Sequence, residues 1–400
     1  MSTATGTRTA GRVSGGIGES TLRPDGPPKV SGEFAFSSDL SAEGMVWGRT
    51  LRSPYPRARV VAIDLSEALA MPGVLAVVTA ADVPGQLTYG LIAQDQPVFV
   101  PVGGEVRFAG EPIACVAADH PETARLACER IRVDYEVLEP LLDADDAVAR
   151  GSVYRYQRIV HGDPDAVVGE VQVEGTYELG MQDQAFLGLE AALALPDADG
   201  AGVELFIATQ WLHEDRAQMA ACLGLPAERV RLTLSGVGGA FGAREDISLQ
   251  VHCSLLALVT GRPVKMQYSR EESFLGHVHR HPARIWMRHH ATADGVIRKI
   301  EARFVFDGGA YTSTSPAVLV NGITQAQGPY RCPSAFVEGW AARTNNPSCG
   351  AMRGFGVVQA CFAHESQMDR LAEACGLDPV EVRLRNAMRT GELLITGQVV

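Results

Sequence analysis

Residues able to do chemistry gather at three places in this chain. The first is Gly236-Val-Gly-Gly-Ala-Phe-Gly242, which follows the alternating run Val230-Arg-Leu-Thr-Leu234 and precedes an apolar stretch from Ile247 to Leu258. Glycines tolerate positive φ and let backbone N–H groups approach a ligand, while a following helix N-terminus adds partial positive charge. Strand, glycine loop and helix in that order therefore suit an anion cradle, although a tight turn between packed elements has the same pattern. The dinucleotide fingerprint is excluded because Phe241 occupies the third glycine position, and no Gly-Lys-Ser/Thr is present for a P-loop. Glu245 and Asp246 fall where the helix should open. The helix dipole alone accounts for acids there; alternatively, Glu245 faces the ligand and hydrogen-bonds a polar substrate.

The second place is His277-Val-His-Arg-His281, which would put three imidazoles on one face of a strand, a geometry able to bind zinc. Pro282 ends the run, and no Glu stands at helical spacing, so a solvated or interfacial strand is the simpler expectation. The third place is Ala351-Met-Arg-Gly-Phe-Gly356. Its Arg offers a planar fork of donors to oxo or phosphate groups, and its Phe offers a plate for a flat ring. A Gly-x-Ser-x-Gly elbow is absent, and no Ser-His-Asp or Cys-His grouping has a local context for nucleophilic catalysis.

The elements that must position these residues form an α+β chain. Residues 1–29 are rich in Thr, Ser, Gly and Pro and bury little, so they read as a mobile arm. Residues 30–146 read as a compact first domain. Val74–Thr79 and Ile113–Ala118 are strands, Asp119 caps a helix with Pro121 in its first turn, and Val133–Val137 is a strand, together a βαβ or split βαβ unit. Asp143–Gly162 lacks apolar periodicity and reads as the boundary, with residues 163–400 as the second domain. There Met368, Leu371, Ala372 and Cys375 mark a one-faced helix stopped by Gly376, and Asp378-Pro-Val-Glu381 opens another helix through Leu384 and Met388.

Composition narrows the function classes. The 400 residues are 46% hydrophobic and 20% charged, enough apolar content for a sizeable core, and a net charge of −12 opposes attraction to nucleic acid or anionic membrane. Neither a membrane-length apolar run nor an N-terminal export signal is evident, which points to the cytoplasm. None of the eight cysteines forms Cys-x-x-Cys, against zinc ribbons, thioredoxin chemistry or iron–sulfur ligation, and all suit buried reduced thiols.

These motifs, in their order along the chain, resemble the large, molybdenum-binding subunit of the xanthine dehydrogenase and aldehyde oxidase family of molybdopterin hydroxylases. Leu22–Phe34, Leu51–Ala58, Val106–Val116 and Tyr135-Glu136 are similar to its α/β hammerhead domain. Thr209-Gln210, Gly236–Glu245, Arg280-His-Pro282 and Ala351–Gly356 are similar to its first molybdopterin-binding domain. The resemblance implies molybdenum–molybdopterin as cofactor, with iron–sulfur clusters and FAD on partner subunits. By the same resemblance Gln210 sits beside an oxo ligand of molybdenum, Phe241 and Gly242 line the metal with backbone, and Arg353 approaches it from a second loop. Phe355 packs on a flat substrate, and Glu245 hydrogen-bonds a purine, where aldehyde-type members usually carry an apolar residue.

The reaction implied is hydroxylation of hypoxanthine or xanthine to urate, with aldehydes or other N-heterocycles as alternative substrates and a non-catalytic remnant or assembly partner as the alternative role. Arg353-Gly354-Phe355-Gly356 replaces the Cys-bearing loop of the carbon monoxide-oxidising relatives. Asn321 stands where purine hydroxylases place a substrate-orienting Arg, nine residues before Tyr330. The family's large subunit is about twice this length, and its second molybdopterin-binding domain, which carries the catalytic Glu, has no counterpart here. The other half is then expected from a separate chain, and the apolar surface meant for it predicts obligatory partners or aggregation.

Overall fold

The computed structural model describes residues 16–400. The first half of the arm expected over 1–29 thus lies outside the described residues. Residues 16–24 are exposed, but a short helix, Gly26–Ser31, extends into the expected arm, with its prolines in the first turn where no N–H is needed. Phe34 and Phe36 then meet edge-to-face, and Phe36 bridges to Gly236. A Cβ on Gly236 would lie 2.6 Å from the Phe34 ring, so the first glycine of the loop is needed for close packing. Buried Lys265 donates to the carbonyls of Ser37, Ser38 and Leu40, fastening this segment to the molecule.

The strands expected at Val74–Val78, Pro112–Ala118 and Arg132–Val137 are present, as is the helix Pro121–Cys128. Its cap is His120 rather than Asp119: the imidazole accepts from the Glu122 N–H at 3.2 Å. The expected βαβ unit does not form. Pro112–Ala118 lies in a seven-stranded sheet, whereas Arg132–Val137 pairs with Ala58–Asp64 in a separate three-stranded sheet. Alternation identifies both strands, but pairing is a tertiary choice that alternation does not encode.

One seven-stranded sheet joins the N-terminal unit to the later chain. Its order is Val230–Leu234, Val203–Ile207, Ala191–Pro196, Val264–Gln267, Val46–Arg52, Pro112–Ala118, Val74–Val78. Val46–Arg52 runs parallel to Val264–Gln267, so the N-terminal unit and the later chain share one hydrogen-bonded sheet. The segment 143–162 itself carries regular elements. Asp143 caps the helix Ala144–Ala149 by accepting from the Asp146 N–H, and Val153–His161 is an edge strand of a second sheet.

That second sheet has five strands in the order Val171–Leu179, Ala283–Ala291, Ile297–Asp307, Ala335–Ala342, Val153–His161. The helix Val357–Cys375 packs on it through Met368, Leu371 and Ala372, as their spacing predicts, and Gly376 ends it in the left-handed region. Asp378 caps the next helix, which stops at Asn386, short of Met388. One core lies against the seven-stranded sheet around Leu205, Met219, Leu256 and Met266; the other lies against the five-stranded sheet around Ile285, Phe304, Leu319 and Leu371. Six of the eight thiols are buried, but Cys361 is exposed and Cys375 half-buried, which corrects the expectation for those two.

Candidate functional site

Three connecting segments meet at the edge of the seven-stranded sheet. Thr209 and Gln210 follow the strand Val203–Ile207, and the glycine loop runs on from Val230–Leu234, its parallel neighbour, so adjacent strands deliver both to one end. The Gln210 N–H and the Thr209 hydroxyl both donate to the Arg244 carbonyl, at 2.9 and 3.1 Å. The Gly242 N–H donates to Gln210 Oε1 at 3.0 Å, leaving Nε2 as the group available to a ligand. The third segment is the 351–356 loop, whose Arg353 N–H donates to the Phe241 carbonyl at 2.8 Å. A Cβ on Gly242 would stand 2.6 Å from the Ala351 carbonyl oxygen, so the two glycine loops touch backbone to backbone only because this residue is Gly at φ +107°.

Between them lies an open cavity of about 320 Å³, lined by Gln210, Phe241, Gly242, Glu245, Arg353 and Phe355 with the intervening loop residues. All six residues singled out from the sequence therefore face one space. A second hollow of about 520 Å³ adjoins it through Gln210 and is walled by Trp211, His213 and Leu234. The non-glycine residues with positive φ among the described residues are Ala185, Phe241, Ser313 and Phe355. Two of these line the cavity and the other two lie in segments that support it, a concentration of backbone strain typical of ligand sites.

Glu245 does not sit in the first turn of a helix. The helix runs from Gln250 to Thr260, so the dipole reading of Glu245 and Asp246 fails, and so does the helix-terminus part of the anion cradle. Half-buried at the cavity wall, the Glu245 carboxyl is pushed above its usual range by burial, which favours the protonated form that can donate as well as accept. Asp246, its neighbour, turns the other way into the interior and accepts from the Ser313 hydroxyl at 2.9 Å. Burial raises this carboxyl to about 7, opposed by the Ser313 hydrogen bond and aided by repulsion from Glu245, Asp215 and Asp95.

The supporting role of the residues beneath the cavity was not read from the sequence. Gln184 donates to the Ala351 carbonyl at 2.9 Å, and Arg280 donates to the Arg353 carbonyl and to Gln182 Oε1, each at 2.9 Å. Arg244 stacks over the Phe186 ring and donates to the carbonyls of Gly239, Ala208 and Gly188. Asn321 donates to the Phe355 carbonyl at 2.7 Å and holds the second loop from behind, which gives that departure from the purine-hydroxylase pattern a positioning part. Arg280 carried a signal through the Arg280-His-Pro282 motif, Arg244 through the Gly236–Glu245 motif and Asn321 through its departure from the purine-hydroxylase pattern, but none of these announced the carbonyl each holds.

The histidine run corrects its expectation. Residues 277–281 are no regular strand: His279 and Arg280 make isolated bridges with Cys349 and Gln182, and all three imidazoles are buried rather than solvated. His281 meets the Ser315 hydroxyl at 2.8 Å, and burial with Arg280 nearby lowers it to about 3. His277 lies between Asp183 and Glu190, with His279 stacked on its ring.

Comparison with known proteins agrees with this geometry. A family model for the molybdopterin cofactor-binding domain matches residues 147–387, and one for the aldehyde oxidase and xanthine dehydrogenase a/b hammerhead domain matches residues 31–139. The chain is 38% identical over 385 residues to a probable xanthine dehydrogenase subunit of Bacillus subtilis, covering 94% of this chain and 51% of that protein. It is 37% identical over 393 residues to the nicotinate dehydrogenase large molybdopterin subunit of Eubacterium barkeri, covering 96% of this chain and 92% of that one. The aldehyde oxidoreductase of Desulfovibrio gigas superposes with a TM-score of 0.89 at 29% identity, over 94% of this chain and 44% of that structure. The chain thus spans about half the length of the first and third of these relatives and nearly all of the second. No described helix is long and apolar enough to cross a membrane. The chain belongs to the aldehyde oxidase and xanthine dehydrogenase family and carries that family's hammerhead and molybdopterin cofactor-binding domains.

Proposed function

We propose that this chain forms one wall of a molybdenum-cofactor site that hydroxylates a purine, the opposite wall coming from a second polypeptide and the electrons leaving through iron–sulfur and FAD subunits. The donor set fits the cofactor. Gln210 Nε2, the Arg353 guanidinium and the glycine-rich backbone all present positive or N–H character to one cavity, as an oxo- and phosphate-bearing group requires. The close approach of Gly242 to Ala351 keeps that backbone free of Cβ atoms. When bound, the cofactor supplies two-electron oxidation of an electron-poor carbon with oxygen from water. The protein's part is to hold the substrate: Phe355 offers a face to a flat ring, and Glu245 offers a carboxyl to a ring nitrogen.

The observation that carries the purine reading is Glu245 on the same cavity wall as Phe355, Gln210 and Arg353. The need for a second polypeptide is supported by the apolar rim of that cavity. Phe241 on the cavity wall and Trp211 and Leu234 in the adjoining hollow are each between 42% and 50% exposed, apolar surface that a second polypeptide would cover. A second reading, a pyridine carboxylate such as nicotinate as substrate, is favoured by the near-complete coverage of the Eubacterium barkeri subunit and by Asn321.

Assay of the assembled complex with xanthine and with nicotinate separates these readings. For the purine reading, Glu245→Gln lowers kcat/KM for xanthine by about 10- to 100-fold, the worth of one charge-assisted hydrogen bond. Turnover of nicotinate without xanthine turnover overturns it in favour of the second.

A further inference from the structure

One side-chain cluster lies outside the cavity and has no part in the proposed reaction. Among the described residues, Asp183, His277 and His279 each offer one ligand-capable atom, and the three atoms lie within 4.8 Å of one another. Asp183 Oδ2 is 3.0 Å from His277 Nε2 and 3.3 Å from His279 Nε2. Both imidazoles are almost wholly buried, and the Asp183 side chain is 15% exposed. On the far side of His277, Glu190 Oε1 lies 2.7 Å from Nδ1.

We propose that Asp183, His277 and His279 form a structural divalent-metal site of the zinc class, with Glu190 holding His277 from behind. Hydrogen-bond geometry is the deciding observation. Despite these short separations, neither nitrogen of His277, nor Asp183 Oδ2, nor either oxygen of Glu190 has a properly directed hydrogen-bond partner. In an ion pair the N–H vectors aim at the carboxylate oxygens. In a metal site the lone pairs converge on a point between the ligands, which then sit roughly 3.3 Å apart around a tetrahedral ion with bonds of about 2.0–2.1 Å. The observed 3.0 and 3.3 Å match that spacing.

Charge and environment agree. Two largely buried carboxylates demand positive charge, and a divalent ion supplies it without protonating His277. A carboxylate on the non-ligating nitrogen of a metal-bound His fixes its tautomer and orientation, which is the place Glu190 occupies. His279 Nε2 meets the Phe274 carbonyl in a hydrogen bond of 2.9 Å, which an ion taken by this nitrogen would have to displace. His279 Nδ1, 3.3 Å from the Ser348 carbonyl, is left to donate there.

The site would act by position. Asp183 lies between Gln182 and Gln184, and His279 adjoins Arg280; Arg280 holds the Arg353 carbonyl, Gln184 holds the Ala351 carbonyl, and Gln182 accepts from Arg280. An ion joining the two segments would pin the floor under the second pocket loop. It asks nothing of molybdenum and stands or falls separately from the hydroxylase reading.

The test is metal content and cobalt substitution on the full-length chain. Elemental mass spectrometry after a weak-chelator wash should find about one zinc per chain, and Co²⁺ exchanged into the stripped protein should give the intense visible bands of a tetrahedral nitrogen–oxygen site. His279→Asn and Asp183→Asn should each abolish both signals. If wild-type protein retains less than about a tenth of an equivalent of zinc and Co²⁺ produces only the weak octahedral spectrum, the proposal is overturned and His277 is an imidazolium between two carboxylates. The wild-type measurements decide this even where a variant fails to fold.

Discussion

Replacing Asp246 with Asn probes the carboxyl that backs onto Glu245. In the folded chain burial lifts this group from 3.8 to about 7. The Ser313 hydroxyl opposes that rise, and repulsion from Glu245, Asp215 and Asp95 adds to it. The unfolded chain releases the same proton near pH 4, so between about pH 4 and 7 the folded state binds more protons than the unfolded one. Stability contributed by the neutral acid is therefore present at low pH and lost as pH rises through the folded pKa. A rise of about three units corresponds to about 4 kcal/mol at roughly 1.4 kcal/mol per unit. Moving from pH 5 to pH 8 crosses about two of those units, on the order of 3 kcal/mol. Asn keeps a partner for Ser313 but cannot ionise, so the difference in unfolding free energy between variant and wild type should shift toward the variant by about that amount over this range. Urea unfolding of both proteins at pH 5 and pH 8 measures it; buried groups common to both, such as Glu111, whose carboxyl burial raises to about 7, cancel in the difference. Parallel pH profiles, or a shift toward wild type at high pH, would refute the placement of a neutral buried acid behind the site.

Three further outcomes follow from the geometry. Gly242→Ala puts a Cβ 2.6 Å from the Ala351 oxygen at a φ that L-residues avoid, so it should cost at least about 2 kcal/mol and release bound molybdenum. Gly261→Ala, at a helix end with open space around it, should cost only about 1 kcal/mol by thermal unfolding. Arg280→Met strands the Arg353 carbonyl and Gln182 Oε1, so amide hydrogen exchange across 353–356 should quicken about tenfold while the strand Ile297–Asp307 is unchanged. Equal acceleration in both segments would mean that Arg280 supports the whole fold and not this loop.

The sequence disclosed the loops better than their framework. The runs 236–242 and 351–356 were legible because glycine punctuation beside Phe and Arg is local, and the resemblance put Gln210 with them although it lies about thirty residues away in the chain. Helices with one-sided spacing, such as Val357–Cys375, were legible for the same reason. What could not be read was pairing. Nothing in the alternation of Val46–Arg52 announces that it binds Val264–Gln267, the join that ties the N-terminal unit to the later chain in one sheet. The buried polar supports were hidden likewise: Gln184, Arg244 and Asn321 look like surface residues until the carbonyls they hold are brought to them by the fold. The histidine run misled because its alternation suits a solvated strand, whereas the chain there is irregular and interior.

The central claim, a cofactor site built from this chain and completed by another, is tested most directly by molybdenum stoichiometry. The tagged protein, purified gently from its own cells, should carry about one molybdenum per chain together with a co-purifying polypeptide that supplies the opposite wall. A well-folded chain that carries no molybdenum and brings down no such partner would contradict the account, leaving Gln210, Phe241 and Arg353 as architecture without chemistry.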